Sequence, residues 1–278
     1  MSRCRSNLRY DLLVSDVDGT LVDKQKRLTP ATVAAVKRLE AAGMRFTIIS
    51  ARPRSGMMPI AEALAIDGPM AAFNGGIVFH RDGTVDAHHV IDPAMARGVL
   101  DLAKGATVDI WVFADDRWHS STDQGVHVEH ERVASNQREI VTSDFSALLD
   151  RADKITFVSD EPPVLKALHE RIDAAFPGRA TVAQSQTYYL DITALAANKG
   201  DGIEALAAAA GVPLARTVAI GDQYNDVPML VRAGLSIAMG NAPEAVQKAA
   251  RHVTAANDAD GVARAIDTLI LPVLEPSK

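Results

Sequence analysis

The sequence predicts an α/β protein: a doubly wound parallel-sheet core with a smaller α+β cap domain inserted into it. Three observations lead there. Over residues 11–76, apolar strand-like runs alternate with helical patterns as β-α-β-α-β, the rhythm of a parallel sheet with helices on both faces. From about residue 86 the strands become polar and alternating, as in "DIWVFADDRWHSST", which suits an antiparallel sheet with one covered face. Fully apolar runs then return at "TVAIGD" and "LSIAMG". A chain of 278 residues, 47% of them hydrophobic, is long enough for both units. The core is expected over residues 1–83 and 191–278, and the insert over 84–190.

The elements follow in order. "YDLLVS" is the first buried strand. "TPATVAAVKRLEAAG" is a helix that Thr29 can cap, Pro30 can open and Gly43 can stop. "MRFTIIS" is the next strand, "RSGMMPIAEALAI" a helix, and "PMAAFNGG" a third strand. "GIVFHRDGTVDAHHVI" reads as a hairpin about its Asp-Gly pair. In the insert, "DKITFVSD", a helix over 162–174, "ATVAQSQ" and "TYYLDIT" continue the section. The alanine-rich "IEALAAAAG" is a helix ended by glycine. The final strand is "HVT", and the helix "GVARAIDTLI" follows it.

The balance of charge excludes some functions. Net charge is -6, and the basic residues are scattered, so nothing tracks a phosphate backbone; no nucleic-acid partner is expected. Cys4 is the sole cysteine, which rules out an internal disulfide and fits a reducing compartment. Arg3, Arg5 and Arg9 precede an apolar stretch too short for a secretory signal. No segment approaches the ~20 apolar residues that span a bilayer. The expectation is a cytoplasmic monomer or homodimer that does not engage membranes.

Ligands of doubly wound sheets sit beyond the carboxyl ends of the strands. Four strand ends here carry polar groups. The first has Asp16 and Asp18, then Gly19 and Thr20; the second has Ser50 and Arg52; the third has Asn74, Gly75 and Gly76. The fourth is "GDQYND", with Asp222, Asn225 and Asp226 at spacings that return to one side of a starting helix. Lys199, in "NKG", heads a helix. Asp16 and Asp18, two apart on a strand, would share a face and repel. A hard divalent cation removes the conflict: Mg²⁺ takes a few carboxylates, waters and phosphate oxygens, and keeps the acids ionised. One carboxylate can then attack phosphorus, and another can act as general acid and base. A hydroxyl at Ser50 and an ammonium at Lys199 can hold the transferring oxygens.

In order and character, "DVDGTLVD", "TIISARP", "NKG" and "GDQYND" resemble the four motifs of the haloacid dehalogenase (HAD) superfamily of phosphatases. The insert after "FNGG" and the re-entry at "LDITALAANKG" resemble its Cof-like sugar-phosphatase branch, whose α/β cap lies between the second and third motifs. The resemblance spans essentially the whole chain. That branch usually has Thr-Gly-Arg where this chain has Ser50-Ala51-Arg52; serine still supplies the hydroxyl. The resemblance implies a HAD-like, Rossmannoid core and a cap that sets specificity. It implies Mg²⁺-dependent hydrolysis of a small phosphorylated metabolite, such as a sugar phosphate, through an aspartyl phosphate. Asp16 would be nucleophile and metal ligand. Asp18 would be the acid/base, with its backbone carbonyl on the metal, and Asp222 the third ligand. Asn225 and Asp226 would orient metal-bound water or Lys199, and Arg52, Asn74 and Gly75 would face the substrate. A phosphomutase or phosphotransferase using the same intermediate, and a non-enzymatic receiver-like phosphate-binding domain, are the alternatives.

Other polar residues have plainer readings. His127 and His130 in "HVEHER" fit a charged helix face without a third ligand. His88 and His89 are adjacent, so on a strand they point opposite ways. Asp23 reads as a surface residue, and Asn74-Gly75 doubles as a hairpin turn signal. Trp111, Trp118, Tyr188 and Tyr189 read as cap interior and edge, with one of them available to line a substrate pocket.

Overall fold

The computed structural model describes residues 10–274; Arg3, Cys4, Arg5 and Arg9 lie outside the described residues. Strand β1 (Leu12–Ser15) is buried at all four positions. In helix α1 (Pro30–Ala41), the Thr29 hydroxyl accepts from the Thr32 N–H and Pro30 opens the first turn. Its buried face is Thr32, Ala35, Val36 and Leu39, the three-to-four spacing of a one-sided helix. Strand β2 (Arg45–Ile48), helix α2 (Arg54–Ala63) and strand β3 (Met70–Ala72) follow.

Expected as the third parallel strand, β3 makes a single parallel bridge to the core sheet, Ile49 with Ala71. Its other edge pairs antiparallel with β4 (Ile77–Phe79), and β4 pairs with β5 (Val85–His88). The cause is local. Phe73 (φ 49°), Asn74 (φ 60°) and Gly75 (φ 104°) all take left-handed conformations and reverse the chain after three strand residues. The β4–β5 hairpin turns at Asp82-Gly83 as the sequence predicts, with the Asp82 carboxylate accepting from the Thr84 N–H at 2.9 Å.

The insert contains α3 (Pro93–Ala103), β6 (Asp109–Ala114), β7 (Arg117–Ser120), α4 (Val128–Ser135) and β8 (Ile140–Val141). It goes on through β9 (Ala152–Val158), α5 (Pro162–Ala175), β10 (Ala180–Gln186) and β11 (Tyr189–Ala194). The six strands form one sheet in the order β10-β11-β9-β6-β7-β8, antiparallel except for the β7–β8 pair. Both faces of this sheet are covered, where alternation predicted one. On one side Met95 and Val99 of α3 and Leu165, Leu168 and Ile172 of α5 pack on Val112, Ile155 and Ile192. On the other, Trp111, Phe113 and Trp118 join Phe73 and Phe79 of the core. Central strand β9 is consequently buried at all seven positions. Of the expected insert limits, residue 84 stands just before β5, which belongs with β3 and β4, and residue 190 falls within β11.

The chain returns through α6 (Lys199–Ala209), β12 (Thr217–Gly221), α7 (Val227–Arg232), β13 (Leu235–Ala238), α8 (Glu244–Ala249) and β14 (His252–Val253). Helix α9 (Gly261–Ala265) runs through a π-helical stretch, Ile266–Ile270, into α10 (Leu271–Leu274). The core sheet is parallel, in the order β14-β13-β12-β1-β2. Ile203 and Leu206 of α6 cover Leu12 and Val14 on one face. Val36 and Leu39 of α1, with Val262 and Ile266, cover Leu13, Ile48 and Ile220 on the other. Leu13 is fully buried, so Leu13→Ala should cost about 2–5 kcal/mol. The chain leaves β1 toward β2 on one side and comes back to β12 on the other, which makes the carboxyl ends of β1 and β12 the switch point where such sheets bind ligands. Among the described residues, no helix is long and apolar enough to cross a membrane.

Candidate active site

Asp16 follows β1 directly. Its backbone N–H continues the ladder onto the Ile220 carbonyl at 2.9 Å, which fixes where the carboxylate emerges. Asp222 follows β12, and Lys199 opens α6, capped by the Asn198 side chain on the Asp201 N–H. A cation at a helix N-terminus opposes the helix dipole. Here two carboxylates offset it: the Lys199 Nζ donates to Asp16 Oδ1 and to Asp226 Oδ1, each at 2.5 Å. All three side chains are buried. The other oxygen of Asp226 accepts from the N–H groups of Asp222 and Gln223, both at 2.8 Å. Asp226 is thus fully engaged in holding Lys199 and the turn that carries Asp222.

Asp222 is placed from the opposite side. The Thr20 hydroxyl donates to its Oδ1 at 2.9 Å, and the Asn241 amide bonds both Asp222 Oδ2 (3.3 Å) and the Gly19 carbonyl (2.9 Å). Gly19 has φ +82°, and a Cβ there would stand 2.4 Å from Asp222 Oδ2, so the chain passes too close for any side chain. Asp16, Asp222 and Asp226 each present an oxygen within 4.8 Å of the others.

Burial pushes the Asp16 carboxyl up; Lys199 opposes this and Asp226 adds to it, leaving it near about 6. Burial, then the charges of Asp16 and Asp226, push Asp222 to about 8 against the Thr20 hydrogen bond. Burial would lower the Lys199 ammonium, but Asp16 and Asp226 outweigh it and hold it above its ordinary value. Such crowding is costly without a counter-ion, and the hard oxygen donors of Asp16 and Asp222 fit a divalent cation between them.

Asp18 behaves differently from Asp16. Arg52 grips it bidentately, Nε to Oδ2 and Nη2 to Oδ1, both at 2.7 Å. Lys26 adds a third contact at 2.6 Å. Burial alone would raise its pKa, but the hydrogen bonds and charges of Arg52 and Lys26 hold it well below the usual carboxylate range. Arg52, expected to face substrate, lines the cleft and spends two nitrogens on Asp18 and a third on the Gly56 carbonyl at 3.1 Å. Ser50 is buried in the same cleft, its Oγ accepting from the Arg52 N–H at 3.2 Å.

The third strand end is set back from these groups. Asn74 Oδ1 accepts from the Asn225 side chain at 3.2 Å, and both line an adjoining cavity under β10; Asn225 also borders the main cleft. Gly75 points at α6, where a Cβ would lie 2.9 Å from the Gly202 Cα, so close backbone packing accounts for the glycine. Asp23 pairs with Arg27 and accepts from the Gln25 and Arg27 N–H groups, a self-contained loop. His127 stacks on Tyr188 at 3.8 Å and pairs with Asp160, and His88 pairs with Asp153; the metal-compatible cluster found among the described residues contains no histidine.

The insert contributes His130, Glu131, Ala134, Lys154, Ser185, Gln186 and Tyr189 to the lining of the cleft. Sequence reasoning missed Lys26, Glu131, Lys154 and Gln186. Lys26 carried one weak signal, lying in a short polar loop after "DGTLVD"; its φ of +61°, unusual for lysine, belongs to the fold alone. The others lie on three separate cap elements that no local spacing links.

A parallel sheet with an acidic switch point and a lysine-bridged aspartate, closed by an inserted cap, defines a class of metal-compatible hydrolases. The chain matches the model of the haloacid dehalogenase-like hydrolases over residues 13–266, and it belongs to that family. It is 26% identical to the phosphatase YwpJ of Bacillus subtilis, covering 93% of this chain and 99% of that one. It is 28% identical to 5-amino-6-(5-phospho-D-ribitylamino)uracil phosphatase YitU of the same organism, covering 91% and 95%. A solved haloacid dehalogenase-like hydrolase from Bacteroides thetaiotaomicron superposes with a TM-score of 0.83 at 27% identity, over 93% of this chain and 99% of that one.

Proposed function

We propose that this enzyme is a Mg²⁺-dependent phosphatase that hydrolyses the monoester of a small phosphorylated metabolite through a phosphoaspartate on Asp16. The family and the phosphatases that match nearly the full chain support the class. The observation that carries the reading is the buried Asp16–Lys199–Asp226 bridge. It fixes one oxygen of Asp16 and leaves the other without a hydrogen-bond donor among the described residues.

Asp16 and Asp222, with the main-chain carbonyl of Asp18, would hold the cation. Bound there, it would offset the carboxylate charge and polarise a phosphoryl oxygen. The residues themselves do the rest. Asp16 attacks phosphorus and the P–O bond to the alcohol breaks; Asp18, protonated from solvent once the ester draws Arg52 and Lys26 away from it, gives that proton to the departing alkoxide. Asp18, now a carboxylate, takes a proton from water; the resulting hydroxide attacks phosphorus, and the P–O bond to Asp16 breaks. Lys199 and the Ser50 hydroxyl hold transferring oxygens where negative charge develops. The cap, over roughly residues 91–194, covers the reacting atoms and limits the alcohol that fits.

Intact-protein mass spectrometry after rapid quench tests this. Asp16→Asn should carry no phosphoryl adduct. Asp18→Asn should accumulate one with p-nitrophenyl phosphate, whose good leaving group needs little protonation, while alkyl phosphates turn over ~10²–10⁴-fold more slowly. Excess EDTA should abolish turnover. An adduct in Asp16→Asn, or full activity in EDTA, would sink the reading.

A further inference from the structure

Glu131 has no role in the chemistry above, yet it is built into the same cleft. It sits on α4 with only 6% of its surface exposed and lines the cleft opposite Asp16, Asp18 and Ser50. Its backbone carbonyl accepts from the Ser135 hydroxyl, but its carboxylate has no hydrogen-bond partner among the described residues. Its oxygens are not among the sealed, unpartnered polar atoms, so they keep contact with the water of the cleft, where a ligand hydroxyl can take that water's place. A purely structural glutamate would be paired to the nearby cations. Arg52 is committed to Asp18 and to the Gly56 carbonyl. Lys154 donates to the Ala51 carbonyl at 3.2 Å, lies 4.5 Å over the Phe113 ring, and stands 3.9 Å from Asp191. That leaves Lys154 with N–H capacity to spare, since an ammonium has three donors. Burial, opposed by Lys154 and reinforced by Asp191 and Asp18, lifts the Glu131 carboxyl to about 7, which again marks a group short of stabilising contacts.

We propose that Glu131 is the specificity-determining residue of the cap, its carboxylate accepting a hydroxyl hydrogen from the alcohol half of the phosphate ester while Lys154 donates to that alcohol. The proposal rests on the phosphatase reading. It follows from what an acceptor and a donor on one wall can share. A hydroxyl both gives and receives a hydrogen bond, so a polyhydroxy alcohol satisfies both. An ammonium would stand among Lys154, Arg52 and Lys26. A second anionic group would stand against Glu131 and Asp18. Each would pair with one charged residue of the wall and leave the other facing like charge without a partner, which is how a site rejects a competitor. Gln186 and Ser185, also on this wall, add polar groups for further hydroxyls.

The test compares ratios. Wild type, Glu131→Met (no acceptor, similar length) and Glu131→Gln (a weaker acceptor) are assayed on glucose 6-phosphate, ribose 5-phosphate, phosphoglycolate and p-nitrophenyl phosphate. The ratio of kcat/KM for the preferred sugar ester to that for p-nitrophenyl phosphate should fall about 10–100-fold in Glu131→Met, the value of a hydrogen bond to a charged group, mainly through KM. Glu131→Gln should recover part of it, and phosphoglycolate should gain relative to the sugar esters in both. The same comparison is made by calorimetry in an Asp16→Asn background, as the affinity for sugar phosphate relative to inorganic phosphate. If wild type hydrolyses none of the esters, the phosphatase reading fails, and the binding ratio still decides Glu131. Should Glu131→Met not fold, Glu131→Gln is read alone, with a fall of about threefold or more expected. Ratios unchanged within twofold in the folded variants, or equal losses on every ester, overturn the proposal.

Discussion

Removing Lys199 tests the electrostatic design of the site. Its side chain is 1% exposed and bridges Asp16 and Asp226, which are 6% and 0% exposed, at 2.5 Å each. Lys199→Met keeps most of the volume, so the loss is electrostatic. Two buried carboxylates lose their shared cation, with Asp222 alongside. Breaking a buried pair from one side costs about 3–5 kcal/mol. Protonation limits that cost and gives it a sign. The Asp16 carboxyl is already lifted from 3.8 to about 6, and losing Lys199 lifts it further. Between the unfolded and folded values, the folded state keeps a proton that the unfolded state has released. Stability therefore falls as pH rises through that window, by about 1.4 kcal/mol per unit per proton. The variant should be little weakened at pH 5 and weakened by about 3–5 kcal/mol at pH 8. Urea denaturation of both proteins in EDTA at pH 5, 6.5 and 8 measures this. A loss under about 1 kcal/mol at pH 8, or a larger loss at pH 5 than at pH 8, would refute the reasoning.

A fixed Mg²⁺ concentration of about 100 times the Kd at pH 8 should stabilise the protein by about 2.7 kcal/mol at pH 8 and by less at pH 5, because there Asp16 and Asp222 hold protons the ion must displace. Equal thermal shifts at both pH values would count against the carboxylate pair as its site. Gly19→Ala places a Cβ 2.4 Å from Asp222 Oδ2 at φ +82°. It should cost at least about 1–2 kcal/mol and weaken Mg²⁺ binding by calorimetry; unchanged affinity would mean that Asp222 is not a ligand. Arg52→Met removes two of the three contacts that keep Asp18 ionised. The Asp18 carboxyl should titrate measurably higher by NMR, and the variant should lose less stability than wild type as pH falls through the acid range, since a depressed carboxyl stabilises only above its unfolded pKa.

Much of this was legible in the sequence because it depends on local pattern. Thr29 before Pro30 marks a helix start wherever the helix packs. Asp16, Asp222 and Lys199 stand out because each ends or begins an element at the carboxyl edge of a parallel sheet, and topology alone converges them. β3 meets the core in parallel, as its apolar run suggests, but only through the Ile49–Ala71 bridge; its antiparallel pairing with β4 was not legible, because the left-handed residues at 73–75 decide it and only Asn74-Gly75 hinted at them. The strands of the insert looked one-sided because their pattern does not show that the core itself covers the second face. Arg52 was legible as a site residue but its partner was not, since Asp18 is 34 positions away and the pairing exists only once β1 and β2 lie side by side. Glu131 and Lys154 were illegible for the same reason, 23 positions apart on a helix and a strand that meet over another domain's strand ends.

The grip on Asp18 bears on how the two halves of the reaction are coupled. Held by Arg52 and Lys26, Asp18 is a carboxylate, the form that accepts a proton from water. The preceding half needs it protonated. Arg52 and Lys26 line the cleft that a dianionic phosphate ester would enter under the proposed function, so ester oxygens would compete with Asp18 for the same N–H donors. Each donor turned toward the ester is one withdrawn from Asp18, and each withdrawal lets burial raise the Asp18 pKa, as it already raises that of Asp16. In the proposed reaction, substrate arrival would thus favour the acid form, and departure of the alcohol would leave the carboxylate that the second half needs. An ester of p-nitrophenol, which leaves without a proton, gains little from the exchange, whereas an alkyl ester depends on it.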